Sequence, residues 1–133
     1  MANYNPLPAP GDIVWCNYPE SEDLGNPRPK PRPGLILNVF TDIYAVLITY
    51  GTSQKTDKEK VYPGEFVIDD QRDTAGLAKP TKFDLNRLQK LPFNELWFGV
   101  APGVEKNTPL PKLGVLSPSF MPIMRAAWKE RKQ

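Results

Sequence analysis

Short runs of β-branched and aromatic residues, separated by polar segments rich in proline and glycine, make up most of the chain. Residues Asp12–Tyr18 alternate enough to predict a strand, and Gly34–Phe40 and Ile43–Tyr50 predict a hairpin that turns at Thr41 and Asp42. Further short strands are predicted at 65–68, 81–84, 88–91 and 97–100. This order of elements predicts a strongly bent antiparallel sheet that closes into a small barrel.

One helix is predicted, over residues 118–131, with Ser117 or Ser119 as its cap and Pro118 or Pro122 in its first turn. Its apolar residues recur near helical spacing, so we expect this stripe to pack on the barrel. The members of the stripe are Phe120, Ile123, Met124, Ala127 and Trp128.

The remaining segments predict connections. Three prolines in residues 1–10 predict an extended N-terminal arm, because proline is excluded from helix interiors and central strands. Residues 19–33 contain five prolines and are polar, so they predict a long, stiff loop with a functional role. Residues 101–113 are expected to be irregular. The length of 133 residues suits a single domain that spans the whole chain, 1–133.

Charge and residue usage narrow the possible chemistry. The net charge is only +2, so a nucleic-acid site would have to be a local patch. The chain contains no histidine, which excludes ribonuclease chemistry with paired histidines, Ser–His and Cys–His nucleophile pairs, and most zinc sites. Any hydrolytic or transfer reaction must therefore use carboxylates, Arg, Lys or hydroxyl groups.

The same counts bear on the compartment. The single cysteine, Cys16, cannot form an intrachain disulfide, which favours a reducing compartment such as the cytoplasm. The first residues lack the basic and apolar regions of a signal peptide, and no apolar run approaches the length of about 20 residues that spans a membrane. We therefore expect a cytoplasmic protein without a membrane partner.

Four segments resemble the PemK/MazF toxins and occur in the order that is typical of that family. Residues 11–15 (GDIVW) resemble its opening strand, and residues 32–37 (RPGLIL) resemble the strand that follows its long loop. Residues 50–54 (YGTSQ) resemble its third strand, which ends in a Thr-Ser pair. Residues 81–87 (TKFDLNR) are similar to the stretch that carries a basic residue and an aspartate in the Kid/PemK branch.

The resemblance implies an SH3-like small β-barrel with a C-terminal helix, usually a homodimer. It implies the toxin half of a toxin–antitoxin pair, an mRNA interferase that inhibits growth and that a cognate antitoxin protein blocks. Its activity would be sequence-selective cleavage of single-stranded RNA through the 2′-hydroxyl, with neither a metal nor a cofactor.

Cleavage of RNA through its 2′-hydroxyl needs a base, an acid and positive charge around the phosphorus. The resemblance assigns Arg32 as the cation that faces the phosphate and Asp84 as the base. Lys82 stands where the family branch has an arginine, on the same strand face as Asp84, and would add positive charge. Thr52 would offer its hydroxyl to the phosphate. Other RNA-binding candidates are Ser53, Gln54, Arg28 and Lys30.

Plainer interpretations stand beside these assignments. Arg28, Lys30 and Arg32 form a basic run that can serve solubility, Lys82 and Asp84 can form a surface salt bridge, and the residues after Gly51 can form a polar turn. Several aromatic residues are candidate base-stacking platforms, although most are expected in the core. These are Trp15, Tyr18, Tyr50, Phe83, Phe93, Trp97 and Phe98.

Two other functions remain open from the sequence. The first is a non-catalytic relative of the same barrel that binds RNA or an acidic peptide in its groove. The second is a gyrase poison like the CcdB toxins, which rely on C-terminal hydrophobic residues. The C-terminal residues 128–132 (WKERK) do not have that character, so this function ranks last.

Overall fold

The computed structural model describes residues 3–17, 31–54, 56–69, 75–101 and 111–131. Within them lie seven strands and the helix α1 (Met121–Glu130). The strands are β1 (Asp12–Cys16), β2 (Arg32–Phe40), β3 (Ala45–Thr52), β4 (Glu65–Ile68), β5 (Thr81–Asp84), β6 (Gln89–Pro92) and β7 (Lys112–Val115). Short 3-10 turns cover Lys58–Lys60 and Pro118–Phe120. None of the described helices is long and apolar enough to cross a lipid bilayer.

The strands form a curled, antiparallel half-barrel sheet in which β3 has three neighbours. β2 pairs with β3 along most of its length, and the other edge of β3 pairs first with β6 and then with β5. The order across the main path is β4-β5-β3-β2-β1-β7. A register shift between Ile36 and Asn38 interrupts the β2–β3 ladder, as a β-bulge does, and increases the local bend.

Two apolar clusters fill the two faces of this sheet. Because successive strand residues point to opposite faces, Ile13 and Leu35 enter the first cluster, while Val14 and Ile36 enter the second. The first cluster also receives Phe120 and Ala127, so α1 covers this face. The second cluster contains Phe93, Trp97 and Phe98, and the N-terminal arm packs on it through Tyr4 and Leu7.

The expected strands are largely confirmed, with three corrections. β4 and β5 have the predicted bounds, 65–68 and 81–84. Residues 97–100 are not a strand, because the N–H groups of Trp97 and Phe98 donate to the carbonyl of Asn94 in a turn. The first two residues of β7, Lys112 and Leu113, lie in the region 101–113 that was expected to be irregular, and β7 pairs with β1.

The third correction concerns the proline-rich loop. Arg32 and Pro33 belong to β2, although the sequence placed them at the end of that loop. The β2–β3 ladder ends at Gly34 opposite Tyr50, so the missing N–H of Pro33 removes no hydrogen bond from it. Pro31 is also described, and the rest of the loop, residues 19–30, lies outside the described residues.

The C-terminal helix is confirmed in part. The chain forms a 3-10 turn over Pro118–Phe120 before α1 begins, so the α-helix is shorter than the predicted 118–131. The predicted stripe is wrong for two members, since Ile123 is 49% exposed and Trp128 is 39% exposed. The guanidinium of Arg131 stacks over the Trp128 ring at 3.7 Å from its centroid.

Candidate active site

A pocket of about 330 Å³ opens where the ends of β2, β3 and β5 meet. Its walls are formed by Arg32, Tyr50, Thr52, Gln54, Tyr62, Glu65, Lys82, Asp84 and Arg87. Three of these side chains are cationic and two are carboxylates, so the pocket has one net positive charge. Four of the residues that the sequence nominated for catalysis, which are far apart in the chain, therefore share one cavity: Arg32, Thr52, Lys82 and Asp84.

The strand register explains why these side chains meet. Thr52 lies opposite Lys82 in the β3–β5 pair, and Glu65 lies opposite Asp84 in the β4–β5 pair. Directly opposed residues point to the same face of a sheet, and so do residues two apart in one strand. Thr52, Lys82, Asp84 and Glu65 must consequently occupy one face.

The same face of β3 changes from apolar to polar along the strand. Val46 and Ile48 are fully buried in the second apolar cluster, and Tyr50 packs against that cluster while also lining the pocket. Thr52 comes next and belongs to the pocket alone. The core therefore continues directly into the floor of the site, which fixes its position.

Arg32 is the first residue of β2 and is held by pairing with Cys16 of β1. Its Nε atom is buried and has no hydrogen-bond partner among the described residues. An unsatisfied buried donor costs about 1–3 kcal/mol. An oxyanion in the pocket would offer acceptors to this guanidinium, whose planar fork matches phosphate oxygens.

Lys82 has a different partner from the one expected. Its Nζ lies 3.2 Å from Glu65 Oε1 and also donates to the Lys60 carbonyl at 3.2 Å. The two side chains of this ion pair are only 7% and 14% exposed. The surface salt bridge between Lys82 and Asp84, which was the plainer interpretation of the sequence, is absent from the described structure, and a largely buried Lys82–Glu65 pair is found instead.

Asp84 is the last residue of β5 and begins the turn that follows it, and one of its carboxylate oxygens lies near the Arg87 guanidinium. Its Oδ1 accepts hydrogen bonds from the backbone N–H and the side-chain amide of Asn86, both at 2.9 Å. Its Oδ2 lies 3.6 Å from Arg87 Nε. Two donors occupy Oδ1, so Oδ2 is the oxygen that can accept a proton from a substrate.

The polar residues at the end of β3 and just after it divide between two cavities. The Oγ1 of Thr52 accepts a hydrogen bond from the Gln54 N–H at 3.1 Å, and both residues line the pocket. Ser53 does not, because the alternation along the chain turns it to a second cavity of about 370 Å³ that includes Trp15 and Lys79. Arg32 lines this second cavity as well, so Ser53 shares a cavity with Arg32 but not with Thr52, Lys82 or Asp84.

Some of the sequence candidates cannot be placed. Arg28, Lys30 and Tyr18 lie outside the described residues. Phe83, Phe93, Trp97 and Phe98 are buried in the two clusters, which agrees with the expectation that most aromatic residues belong to the core.

Sequence reasoning missed three of the residues in the pocket: Tyr62, Glu65 and Arg87; Tyr50 was already named as a candidate base-stacking residue. Glu65 is the first residue of a correctly predicted strand, but only its register against Asp84 shows that it faces the site. Tyr62 carried a usable signal, because it precedes the Pro-Gly pair at 63–64, which marks a turn.

Known proteins add no assignment to this geometry. No model of a known protein family matches the chain, and no curated protein matches it. The chemistry must therefore be argued from the pocket itself. It combines cations, hydroxyl groups and carboxylates in a cleft, which is the set of groups that transfer of a phosphoryl group without histidine requires.

Proposed function

We propose that this protein is a metal-independent endoribonuclease that cleaves single-stranded RNA, as the resemblance to the PemK/MazF toxins implies. The observation that carries the proposal is that Arg32, Thr52, Lys82 and Asp84 line one positively charged pocket. A phosphodiester brings the negative charge that suits this pocket, and its ribose brings the 2′-hydroxyl that can react.

In the proposed step, Asp84 Oδ2 accepts the proton of the 2′-hydroxyl while the 2′-oxygen forms a bond to phosphorus. The bond from phosphorus to the 5′-oxygen breaks, and Lys82 Nζ gives the leaving oxygen a proton. Arg32 stabilises the extra negative charge that develops on the phosphoryl oxygens. The products are a 2′,3′-cyclic phosphate and a 5′-hydroxyl, so no water, metal or cofactor takes part.

The proposal is tested by incubating the purified protein with a long, unstructured RNA in EDTA. The wild-type protein should produce fragments that end in cyclic phosphate. Asp84→Asn keeps an oxygen that can accept the Asn86 N–H bond, so the turn survives while the base is lost, and the rate should fall about 10²- to 10⁴-fold. Arg32→Ala should cost about 10²- to 10³-fold.

Matched controls remove the same charges elsewhere. Arg125 and Asp42 are exposed, so Arg125→Ala and Asp42→Asn should cut RNA at the wild-type rate. Cleavage that survives both Arg32→Ala and Asp84→Asn would show that the site assignment is wrong. Failure of the wild-type protein and of every variant to cut the RNA would refute the proposed nuclease activity.

A second candidate function is a non-catalytic RNA-binding protein of the same architecture. The observation that favours it is that Lys82 already pairs with Glu65, and Asp84 with Asn86 and Arg87. Charges engaged with one another can hold a phosphate without reacting. Retention of intact RNA in a gel shift, together with no cleavage in EDTA, would support this alternative.

The biological setting is part of the proposal. By the resemblance, the protein would act as a homodimer in the cytoplasm, as a growth-inhibiting toxin whose antitoxin protein covers the pocket. The net positive charge of the pocket suits an acidic antitoxin segment. Co-purification of a dimer with an antitoxin that abolishes cleavage would support this setting.

A further inference from the structure

A large aromatic side chain stands exposed at the edge of the charged pocket. Tyr62 lines the pocket, yet it is 61% exposed, more than any other large apolar side chain in the described part of the chain. An aromatic ring in this position has a solvated face and lies next to the proposed phosphate site. Nucleobases stack on such rings, because every base presents a π-face.

Hydrogen bonds hold the backbone under Tyr62 in a defined turn. The Glu65 N–H donates to the Tyr62 carbonyl at 2.9 Å, and this closes a tight turn with Pro63 and Gly64 at its centre. Gly64 has φ +90°, the conformation that a type II turn requires at its third position, where glycine is favoured. The side-chain amide of Asn86 donates to the Pro63 carbonyl at 2.9 Å and ties the turn to the loop after β5.

The turn is also tied to the buried ion pair. Glu65 Oε1 accepts the Tyr62 N–H at 2.8 Å, and the same oxygen lies 3.2 Å from Lys82 Nζ. Lys82 also donates to the Lys60 carbonyl, so its ammonium contacts the chain on both sides of Tyr62, at Lys60 and at Glu65. Such prior ordering lowers the entropy cost of binding to the exposed ring.

We propose that Tyr62 is the stacking platform for an unpaired nucleobase of the nucleotide next to the phosphate in the pocket. The inference rests on the proposed function for the identity of the ligand as single-stranded RNA, but it concerns binding and not bond cleavage. The Lys82–Glu65 pair then acts as a positioning element that holds the platform beside the phosphate.

The test uses a fluorescently labelled, single-stranded 2′-O-methyl RNA of mixed sequence, which has no 2′-hydroxyl to react and so reports binding alone. Tyr62→Ala should weaken binding about tenfold in fluorescence anisotropy, and Tyr62→Phe should restore it to within about twofold. The matched control is Ile43→Ala, which removes another exposed apolar side chain and should leave affinity unchanged.

Two further readouts separate stacking from a structural role. An abasic oligonucleotide of equal length should bind wild-type protein and Tyr62→Ala equally, because it has no base to stack. In Tyr62→Trp, RNA should quench indole emission more strongly than it does in the wild-type protein. Far-UV circular dichroism of Tyr62→Ala, expected to match the wild-type spectrum, checks that the variant is folded.

The outcomes distinguish this inference from the proposed function. A tenfold effect of Tyr62→Ala on binding, with no cleavage by the wild-type protein, would support the platform and refute the nuclease. Wild-type cleavage with unchanged binding and KM in Tyr62→Ala would refute the platform and leave the nuclease intact. A wild-type protein that neither binds the oligonucleotide nor cleaves unmodified RNA would overturn both.

Discussion

Removing the carboxylate of Glu65 should destabilise the protein by much more than a surface substitution does. The change Glu65→Ala leaves the Lys82 ammonium, whose side chain is only 7% exposed, with the Lys60 carbonyl as its one remaining partner among the described residues. Breaking a buried ion pair on one side costs about 3–5 kcal/mol. Since the pair keeps slight exposure and Lys82 keeps the carbonyl bond, we expect about 3 kcal/mol.

Urea unfolding followed by far-UV circular dichroism measures this loss. With a slope of about 1.5 kcal/mol per molar urea, the midpoint should fall by about 2 M. A double-mutant cycle with Lys82→Met, which removes the charge and keeps the length of the side chain, isolates the pair from its surroundings. The double variant should be more stable than the sum of the single losses predicts, by about 2 kcal/mol.

The chain offers a matched, exposed pair as a control. Lys60 Nζ lies 4.0 Å from Asp57 Oδ2, and these side chains are 55% and 70% exposed. Asp57→Ala should therefore cost less than about 0.5 kcal/mol. A loss below about 1 kcal/mol for Glu65→Ala, or a coupling near zero in the cycle, would refute a strong buried pair at this position.

Two other predictions concern the buried Cys16 and the turn at Gly76. Burial raises the pKa of the Cys16 thiol above its ordinary value of 9.0, so native protein should resist iodoacetamide at neutral pH and react after unfolding. The folded state keeps the thiol proton to higher pH than the unfolded state does, so the stability that the buried thiol contributes is complete below pH 9.0 and declines above it. In Cys16→Ala the urea midpoint should therefore fall less steeply above pH 9.0 than in the wild-type protein. An unchanged slope would contradict this prediction. Gly76→Ala should destabilise the protein by more than about 2 kcal/mol, because Gly76 has φ +73° and an added Cβ would lie 2.2 Å from the Leu113 carbonyl oxygen. The control is Gly99→Ala, whose Cβ would meet no atom within 4 Å, and it should be nearly neutral in the same assay.

Local patterns in the sequence predicted the strands that have strong local signals. β4 and β5 are short runs that include β-branched and aromatic residues, and Gly64 and Pro80 precede them, so their bounds were predicted correctly. β7 has no such pattern, since its four residues include a glycine and a lysine. It becomes a strand because the edge of β1 offers hydrogen-bonding groups, which is a tertiary cause that composition does not show.

In the candidate site, too, local motifs predicted some features and the pairing of strands determined others. The order of short motifs was enough to nominate Arg32, Thr52, Lys82 and Asp84, and the structure brings these residues into one pocket. The partner of Lys82 could not be predicted, because the spacing of two residues suggested Asp84 while the cross-strand register supplies Glu65. Pairing between strands is set by the whole sheet, so sequence spacing alone does not determine it.

The position of Thr52 on the strand that also supports the core has a consequence for protein engineering. Deleting one residue between Val46 and Thr52 would turn every later side chain of β3 to the opposite face. The hydroxyl would then leave the pocket, and a deletion before Tyr50 would turn the Tyr50 ring away as well. A loop insertion can be absorbed by its neighbours, but the chain length of β3 between core and pocket cannot vary by one residue without loss of the site.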